Sequence, residues 1–109
     1  MSLENSIQTN ILDYLNGLSG CIAENESGNA GQKGRADITA CYKGRCYKIE
    51  VKSEETGYKA TKIQRLKLKR WARAGAYCLI VYSVDDVKAF INSEDIFHKE
   101  QFHGEFISC

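Results

Sequence analysis

Two strand-like runs flank the dipeptide Lys43–Gly44, and this arrangement constrains the fold more than any other feature of the chain. The runs extend from Ala36 to Tyr42 and from Arg45 to Ser53. Glycine at the second position of a two-residue loop accepts the positive φ that a tight hairpin turn requires. The pattern therefore predicts an antiparallel β-hairpin that turns at Lys43–Gly44.

The register of this hairpin follows from the length of its loop. With a two-residue loop, facing residues have numbers that sum to 87. Ile38 is then opposite Ile49 on the core face, and Asp37 is opposite Glu50 on the other face, which also carries Lys52. Carboxylates that face each other across a sheet, with Cβ atoms roughly 4.5–5.5 Å apart, destabilise it. A loop one residue longer would break this register.

The rest of the chain predicts helices on either side of the hairpin. The other predicted elements are a helix over Leu3–Leu18, a short strand near Cys21–Glu26, a helix over Thr61–Ala74, a buried strand in AYCLIVYS (76–83) and a short helix in VDDVKAFI (84–91). The tail that follows is compatible with a helical turn and an edge strand. The order α-β-β-β-α-β predicts an α/β fold, with a mixed central sheet flanked by helices.

Composition limits the class of protein. A chain of 109 residues with 43% hydrophobic residues predicts a single domain over residues 1–109. The net charge of +1 does not by itself indicate a nucleic-acid partner. The longest apolar run, 76–82, is far shorter than the roughly 20 residues that span a bilayer, and no signal peptide is recognisable. We therefore expect no membrane association and a cytoplasmic location.

The five cysteines are expected to be reduced thiols. Their number is odd and they lack the CxxC spacing of a zinc site. Cys78 lies in the apolar run and is predicted to be a core residue. Cys41 and Cys46 face each other in the predicted register, but cytosolic thiols stay reduced, so a disulfide or metal site there is not expected.

A divalent cation between Asp37 and Glu50 would explain why two acids face each other. Two hard carboxylate ligands suit Mg²⁺, which keeps several of its waters. The alternative is a solvated strand surface, on which Glu-x-Lys alternation is common. The residues alone leave both interpretations open.

Two short motifs resemble the core of the PD-(D/E)XK nuclease superfamily: GRADI at 34–38 and IEVKS at 49–53. The chain is most similar to the VRR-NUC (virus-type replication-repair nuclease) branch. There, a glutamate-bearing helix precedes a glycine-rich loop, G-x-x-D-[IL], E-[VI]-K, and a glutamine-bearing helix that ends in glycine before a buried strand. The matching positions are Glu4, 34–38, 50–52, Gln64 and Gly75. Ala36 stands where many relatives have proline, a difference that affects the backbone more than the chemistry.

This resemblance implies a restriction-endonuclease-like αβββαβ core and a DNA endonuclease that depends on Mg²⁺ or Mn²⁺. By family analogy, cleavage would leave a 5′-phosphate. It implies that Asp37, Glu50 and the backbone carbonyl of Val51 hold the metal. Lys52 would position the attacking water and offset charge that builds up on the phosphoryl oxygens.

The resemblance also gives roles to two side chains on the predicted helices. Glu4 would bind the metal directly or through water, although an acid near a helix N-terminus is equally well explained as a partner of the helix dipole. Gln64 would lie near the catalytic residues, the alternative being an exposed helix surface.

Basic residues cluster in the predicted second helix. Four cations at spacings of three or four are expected to form one phosphate-binding stripe: Lys62, Arg65, Lys69 and Arg73. The glycine-rich loop at 27–35 adds Lys33 and Arg35, although it lacks the residue order of a phosphate-binding P-loop. Trp71 is predicted to pack rather than to stack on bases.

Three hypotheses remain at this point. The first is a homodimeric endonuclease that cuts branched DNA such as a four-way junction, with the first helix and the tail at 97–109 as its interface. The second is a non-catalytic nucleic-acid-binding module with the same fold. The third is the nuclease subunit of a larger restriction or repair assembly.

Overall fold

A five-stranded mixed sheet forms the centre of the fold. A computed structural model describes residues 2–26, 36–92 and 101–108. The strands are β1 (Cys21–Asn25), β2 (Ile38–Tyr42), β3 (Arg45–Val51), β4 (Tyr77–Val81) and β5 (Glu105–Ile107). They lie in sequence order, with β3 and β4 parallel and the other neighbours antiparallel. The predicted mixed sheet flanked by helices is confirmed.

Three α-helices and one short 3₁₀ turn complete the described elements. These are α1 (Leu3–Asn16), the 3₁₀ turn (Glu54–Thr56), α2 (Lys62–Arg73) and α3 (Val84–Ile91). Each α-helix begins after a serine or threonine whose hydroxyl accepts a backbone N–H of the first turn: Ser2, Thr61 and Ser83. The predicted helices match these elements with differences of at most two residues at any end.

The hairpin has the predicted register. Ile38 faces Ile49, and Cys41 faces Cys46. Lys43 and Gly44 both have positive φ angles, 52° and 79°, as a type I′ turn requires. The loop therefore contains two residues, and side chains on β3 alternate between the two faces of the sheet as predicted.

Helices cover both faces of the sheet. On one face, α1 and α3 bury a core that includes Ile11, Leu15, Ile38, Ile49 and Val87. On the other face, α2 packs over β4 and β5. A smaller cluster lies on this side, formed by Ala36, Leu68, Cys78, Ile80 and Ile107. Because β4 lies between the two layers, four consecutive residues, 78–81, are buried, as expected for a central strand.

The expectation of free thiols is wrong for one pair. Cys41 and Cys46 form a disulfide across the hairpin. The predicted register places these two side chains opposite each other, but the expectation relied on the redox state of the cytosol. Cys21 and Cys78 are free and buried, and burial raises the pKa of the Cys78 thiol to about 11. Cys109 lies outside the described residues.

One buried acid anchors the C-terminal segment. The Asp86 carboxylate, in the first turn of α3, accepts the backbone N–H groups of Tyr82 and His103, each at 2.8 Å. Gly104 then passes so close to β4 that a Cβ there would collide with the carbonyl oxygen of Ile80. These contacts place β5 beside β4. Among the described residues, no helix is long and apolar enough to cross a membrane.

Candidate active site

Two acids meet at the carboxyl end of β3. Asp37 immediately precedes β2, and the hairpin register, continued by one pair, brings it opposite Glu50. The Asp37 carboxylate accepts the backbone N–H of Val51 at 2.8 Å. Its own backbone carbonyl accepts the N–H of Glu26 at 2.7 Å, next to the end of β1. Backbone groups on both neighbouring segments therefore fix Asp37.

Glu50 is almost completely buried, with 1% of its surface exposed. Its Oε1 accepts a hydrogen bond from Gln64 Nε2 at 3.0 Å and lies 3.6 Å from Lys52 Nζ. Its Oε2 is buried and has no hydrogen-bond partner among the described residues. Buried carboxylate oxygens normally have a partner, and here either a proton shared with Asp37 or a bound cation would supply it.

Burial raises the pKa of both acids. The pKa of Glu50 is raised to about 9, mainly by burial and then by the charge of Asp37 and a hydrogen bond shared with it. Lys52 opposes that rise. Burial also raises the pKa of Asp37, against the opposing effect of the Val51 N–H. The two carboxyl groups therefore hold a proton to a higher pH than separate, solvated carboxyl groups would.

Lys52 and Glu4 flank this pair. Lys52 is buried and forms an ion pair with Glu50. Glu4, in the first turn of α1, accepts a hydrogen bond from Thr56 Oγ1 at 2.7 Å. Its charge contributes to the raised pKa of Asp37, so Glu4 lies near the site without contacting the pair in the structure. The backbone N–H of Leu3 donates to Glu55 Oε1, which holds the start of α1 against the 3₁₀ turn.

Gln64 has two roles at once. Its Oε1 accepts the backbone N–H of Thr61 at 2.8 Å, and its backbone N–H donates to Thr61 Oγ1 at 3.1 Å, which together form a capping box. Its Nε2 binds Glu50. The side chain is therefore directed into the site, and the alternative of an exposed helix surface is wrong.

No family model, curated protein or solved structure matches this chain. Among the described residues, no group of three or more His, Cys, Asp or Glu side chains is close enough to hold a metal ion by itself. The site thus consists of two acids in contact, Asp37 and Glu50, with Glu4 nearby. Membership of the VRR-NUC family stays a prediction that depends on the motif residues.

One of the four cations in the predicted phosphate-binding stripe is already paired with an acid. Arg65 makes two hydrogen bonds to Glu105 of β5, at 2.6 and 3.1 Å, so its charge is paired. Lys62, Lys69 and Arg73 are exposed.

Two concavities open on α2. One of about 600 Å³ is lined by Lys62, Ile63, Arg65, Leu66 and Lys69, and one of about 390 Å³ by Lys67, Arg70, Trp71 and Ala74. The predicted Lys33 and Arg35 lie outside the described residues.

Sequence reasoning missed a second buried lysine on the face of Glu50. Lys48 Nζ donates to Thr39 Oγ1 at 2.7 Å, pairs with Glu26 at 3.4 Å and lies 4.0 Å from the ring centroid of Trp71. The alternation of side chains along β3 contained the signal, because Lys48, Glu50 and Lys52 differ by two. The Glu26 backbone also binds Asp37, so Lys48 stabilises the segment that holds the first acid.

The apolar side chains assigned to a dimer interface mostly lie in the core. Ile11 and Leu15 of α1 are fully buried, and Phe102 packs against the same cluster. Leu3 of α1 and Phe106 of β5 remain substantially exposed. Residues 97–100 of the tail lie outside the described residues. The sheet therefore takes up most of the first helix's apolar face, and little of that face is left for a partner.

Proposed function

We propose that this protein is a divalent-metal-dependent DNA endonuclease of the VRR-NUC type, with a restriction-endonuclease-like core. The observation that carries the proposal is the contact between the half-buried Asp37 and the buried Glu50, beside the buried Lys52. The alternative of a solvated strand surface does not fit Glu50 and Lys52, because both side chains are buried.

The residues fit a hard cation. Glu50 Oε2 is buried without a donor, and burial together with the charge of Asp37 raises the pKa of Glu50, so a bound cation would favour the ionised carboxylate. Residues in a strand direct N–H and C=O to the same side, so the Val51 carbonyl faces the side on which its N–H binds Asp37. Asp37, Glu50 and that carbonyl would hold Mg²⁺ or Mn²⁺, and Glu4 would act through a water.

A bound Mg²⁺ or Mn²⁺ would polarise a phosphodiester oxygen and lower the pKa of a bound water. The remaining roles belong to side chains of the protein. Gln64 fixes the orientation of Glu50. The Lys52 ammonium lies beside the acids, where it can donate to water and offset charge on the phosphoryl oxygens. The exposed cations of α2 bind phosphates on either side of the scissile bond.

The resemblance also supplies the substrate in this proposal. Stand-alone VRR-NUC proteins resemble junction resolvases, whereas the domain fused to larger proteins resembles a flap nuclease. A four-way junction has two-fold symmetry and is cut on two strands, so a C₂ homodimer would present two sites with matching symmetry. The proposed substrate is therefore branched DNA, and the proposed assembly is a homodimer.

A cleavage assay on linear, flap and four-way-junction DNA tests the proposal. We expect cleavage of branched DNA with Mg²⁺ or Mn²⁺, none in EDTA, and losses of orders of magnitude in Asp37→Asn, Glu50→Gln and Lys52→Ala. Glu54→Gln, which changes an exposed acid in the 3₁₀ turn, is the matched control and should cleave normally. DNA binding without cleavage under any metal would instead identify a non-catalytic binding module.

A further inference from the structure

Trp71, near the end of α2, has an unusual environment. It is the only tryptophan in the chain, and half of its surface is exposed. Tryptophan side chains are on average well buried, because exposing a large indole forgoes much hydrophobic stabilisation. A half-exposed indole on α2, the helix whose Gln64 binds Glu50, is therefore a candidate for contact with a ligand.

The protein fixes the ring from one side. The ammonium of Lys48 lies 4.0 Å from the ring centroid, a favourable cation–π contact. Thr39 and Glu26 hold that ammonium in turn, at 2.7 and 3.4 Å. The indole is thus supported by a network on β2, β3 and the end of β1. It does not need to be ordered when a ligand binds, which reduces the cost of binding.

The exposed part of the ring borders a cationic concavity. Lys67, Arg70, Trp71 and Ala74 line a space of about 390 Å³. Their spacing places all four on one side of the helix. The volume lies within the range of roughly 300–1,000 Å³ that is typical of small-molecule sites. Aromatic rings bordered by basic side chains are the standard means of binding single-stranded nucleic acid, because bases stack and phosphates pair with cations.

The distance to the acids matches a short length of nucleic acid. Gln64, which binds Glu50, and Trp71 are two helical turns apart, or about 10 Å along the axis of α2. Lys48 and Glu50 are about 7 Å apart along β3. Stacked nucleotides advance by about 3.4 Å per step along one strand. The ring thus lies two or three nucleotides from the carboxylate pair.

We propose that Trp71 is a stacking platform for an unpaired nucleobase of the substrate, with Lys67 and Arg70 bound to the flanking phosphates. The choice of nucleic acid as ligand rests on the proposed function. A base inside a duplex has both faces covered by its neighbours, so the platform accepts single-stranded segments. It gives the enzyme a physical means to prefer DNA that has unpaired bases beside the cleavage point.

Intrinsic fluorescence tests the platform directly, because the single tryptophan reports on it alone. The protein is titrated with a short oligothymidylate and with an equally long duplex, both in EDTA to prevent cleavage. Stacking on Trp71 is expected to quench its emission saturably with the single strand and little with the duplex. Binding of the single strand without quenching would overturn the proposal.

Variants then measure selectivity by the anisotropy of a labelled oligonucleotide. A stacked base contributes about 1–3 kcal/mol, so Trp71→Leu should lower the ratio of single-strand to duplex affinity by about tenfold or more. Trp71→Phe, which keeps an aromatic face, should give an intermediate ratio. Arg70→Ala should also lower the ratio, whereas Lys62→Ala, on the other concavity, should weaken both forms alike. An unchanged ratio in both Trp71→Phe and Trp71→Leu would contradict the platform.

The outcomes separate this inference from the proposed function. Quenching by single strands in a protein that cleaves nothing would support the platform and reject the nuclease. Metal-dependent cleavage without quenching, and with normal selectivity in Trp71→Leu, would support the nuclease and reject the platform.

Discussion

Gln64 Nε2 lies 3.0 Å from Glu50 Oε1, and this hydrogen bond joins the first turn of α2 to the acid of β3. The same side chain closes the capping box with Thr61. The start of the helix and the orientation of the acid therefore depend on one residue. These two contacts allow the structural contribution of Gln64 to be separated by mutation from its proposed catalytic one.

Gln64→Ala and Thr61→Ala should differ in activity. Each removes a capping interaction, and each should lower the free energy of unfolding by about 0.5–2 kcal/mol. Only Gln64→Ala also releases Glu50, so cleavage should fall at least tenfold in that variant and stay near wild type in Thr61→Ala. Urea denaturation and single-turnover cleavage provide the two measurements. Equal activities would mean that Gln64 serves the helix alone.

Metal affinity should rise with pH. The pKa of Glu50 is raised to about 9, so a cation that needs both carboxylates ionised must displace a proton at neutral pH. Apparent affinity should increase by up to about tenfold per pH unit between pH 6 and 8. Calorimetry in two buffers of different ionisation enthalpy should detect close to one proton released per Mn²⁺ bound. No proton release would show that the metal does not bind at Glu50.

The stability of metal-free Glu50→Gln should increase relative to that of wild type as pH rises. Between the ordinary pKa of 4.5 and the folded value of about 9, the folded state binds more protons than the unfolded state. In wild type, the protonated Glu50 contributes stability that is fully present below pH 4.5 and is lost as pH rises through about 9. Over this range the free energy of unfolding of wild type falls by at most about 1.4 kcal/mol per pH unit. Urea denaturation in EDTA at pH 6, 7 and 8 should show that the free energy of unfolding of the variant increases relative to that of wild type. Glu54→Gln, the exposed control, should show no such trend.

The salt dependence of DNA binding should distinguish free cations from the paired one. Lys62→Ala with Lys69→Ala should flatten the slope of log affinity against log salt by about 0.9 for each phosphate that the variant no longer neutralises. Arg65→Ala should change the slope less, because Glu105 already pairs with Arg65. An unchanged slope in the double variant would mean that the stripe is solvated surface.

Asp86→Ala should destabilise the fold without affecting the site. It would leave two backbone N–H groups, those of Tyr82 and His103, without their acceptor. Leaving two part-buried donors unsatisfied costs about 1–3 kcal/mol each, so the free energy of unfolding should fall by roughly 2–6 kcal/mol. Mn²⁺ affinity at a temperature where the variant is folded should match wild type. A loss of metal affinity would show that β5 contributes to the site.

The parts of the structure that depend on neighbouring residues in sequence were predictable. The turn at Lys43–Gly44 has the loop length and glycine that a type I′ hairpin needs, and that loop alone determines that Ile38 faces Ile49. The first helix follows from the periodicity of its apolar residues. The contact between Asp37 and Glu50 follows from the same register, so the sequence was sufficient to predict the central pair of the site.

Contacts between distant segments were not predictable in this way. Helical spacing groups Arg65 with the other cations but contains no information about Glu105, which lies 40 residues later. The burial of Lys48 depends on Trp71 folding over it. The disulfide was missed for a different reason: the register places Cys41 and Cys46 together, and an assumption about cellular redox state outweighed it.

The strand β3 directs Ile49 and Val51 into the main core and Glu50 and Lys52 toward α2. One added codon in the Lys43–Gly44 turn would exchange these two sets, burying charges where methyl groups pack and removing the acid that faces Asp37. A homologue that kept the fold but had a turn of a different length would also lose the proposed pair of acids. If the proposed function is right, both the packing of the core and the site would constrain the length of this turn, and variation in this gene should avoid insertions and deletions there.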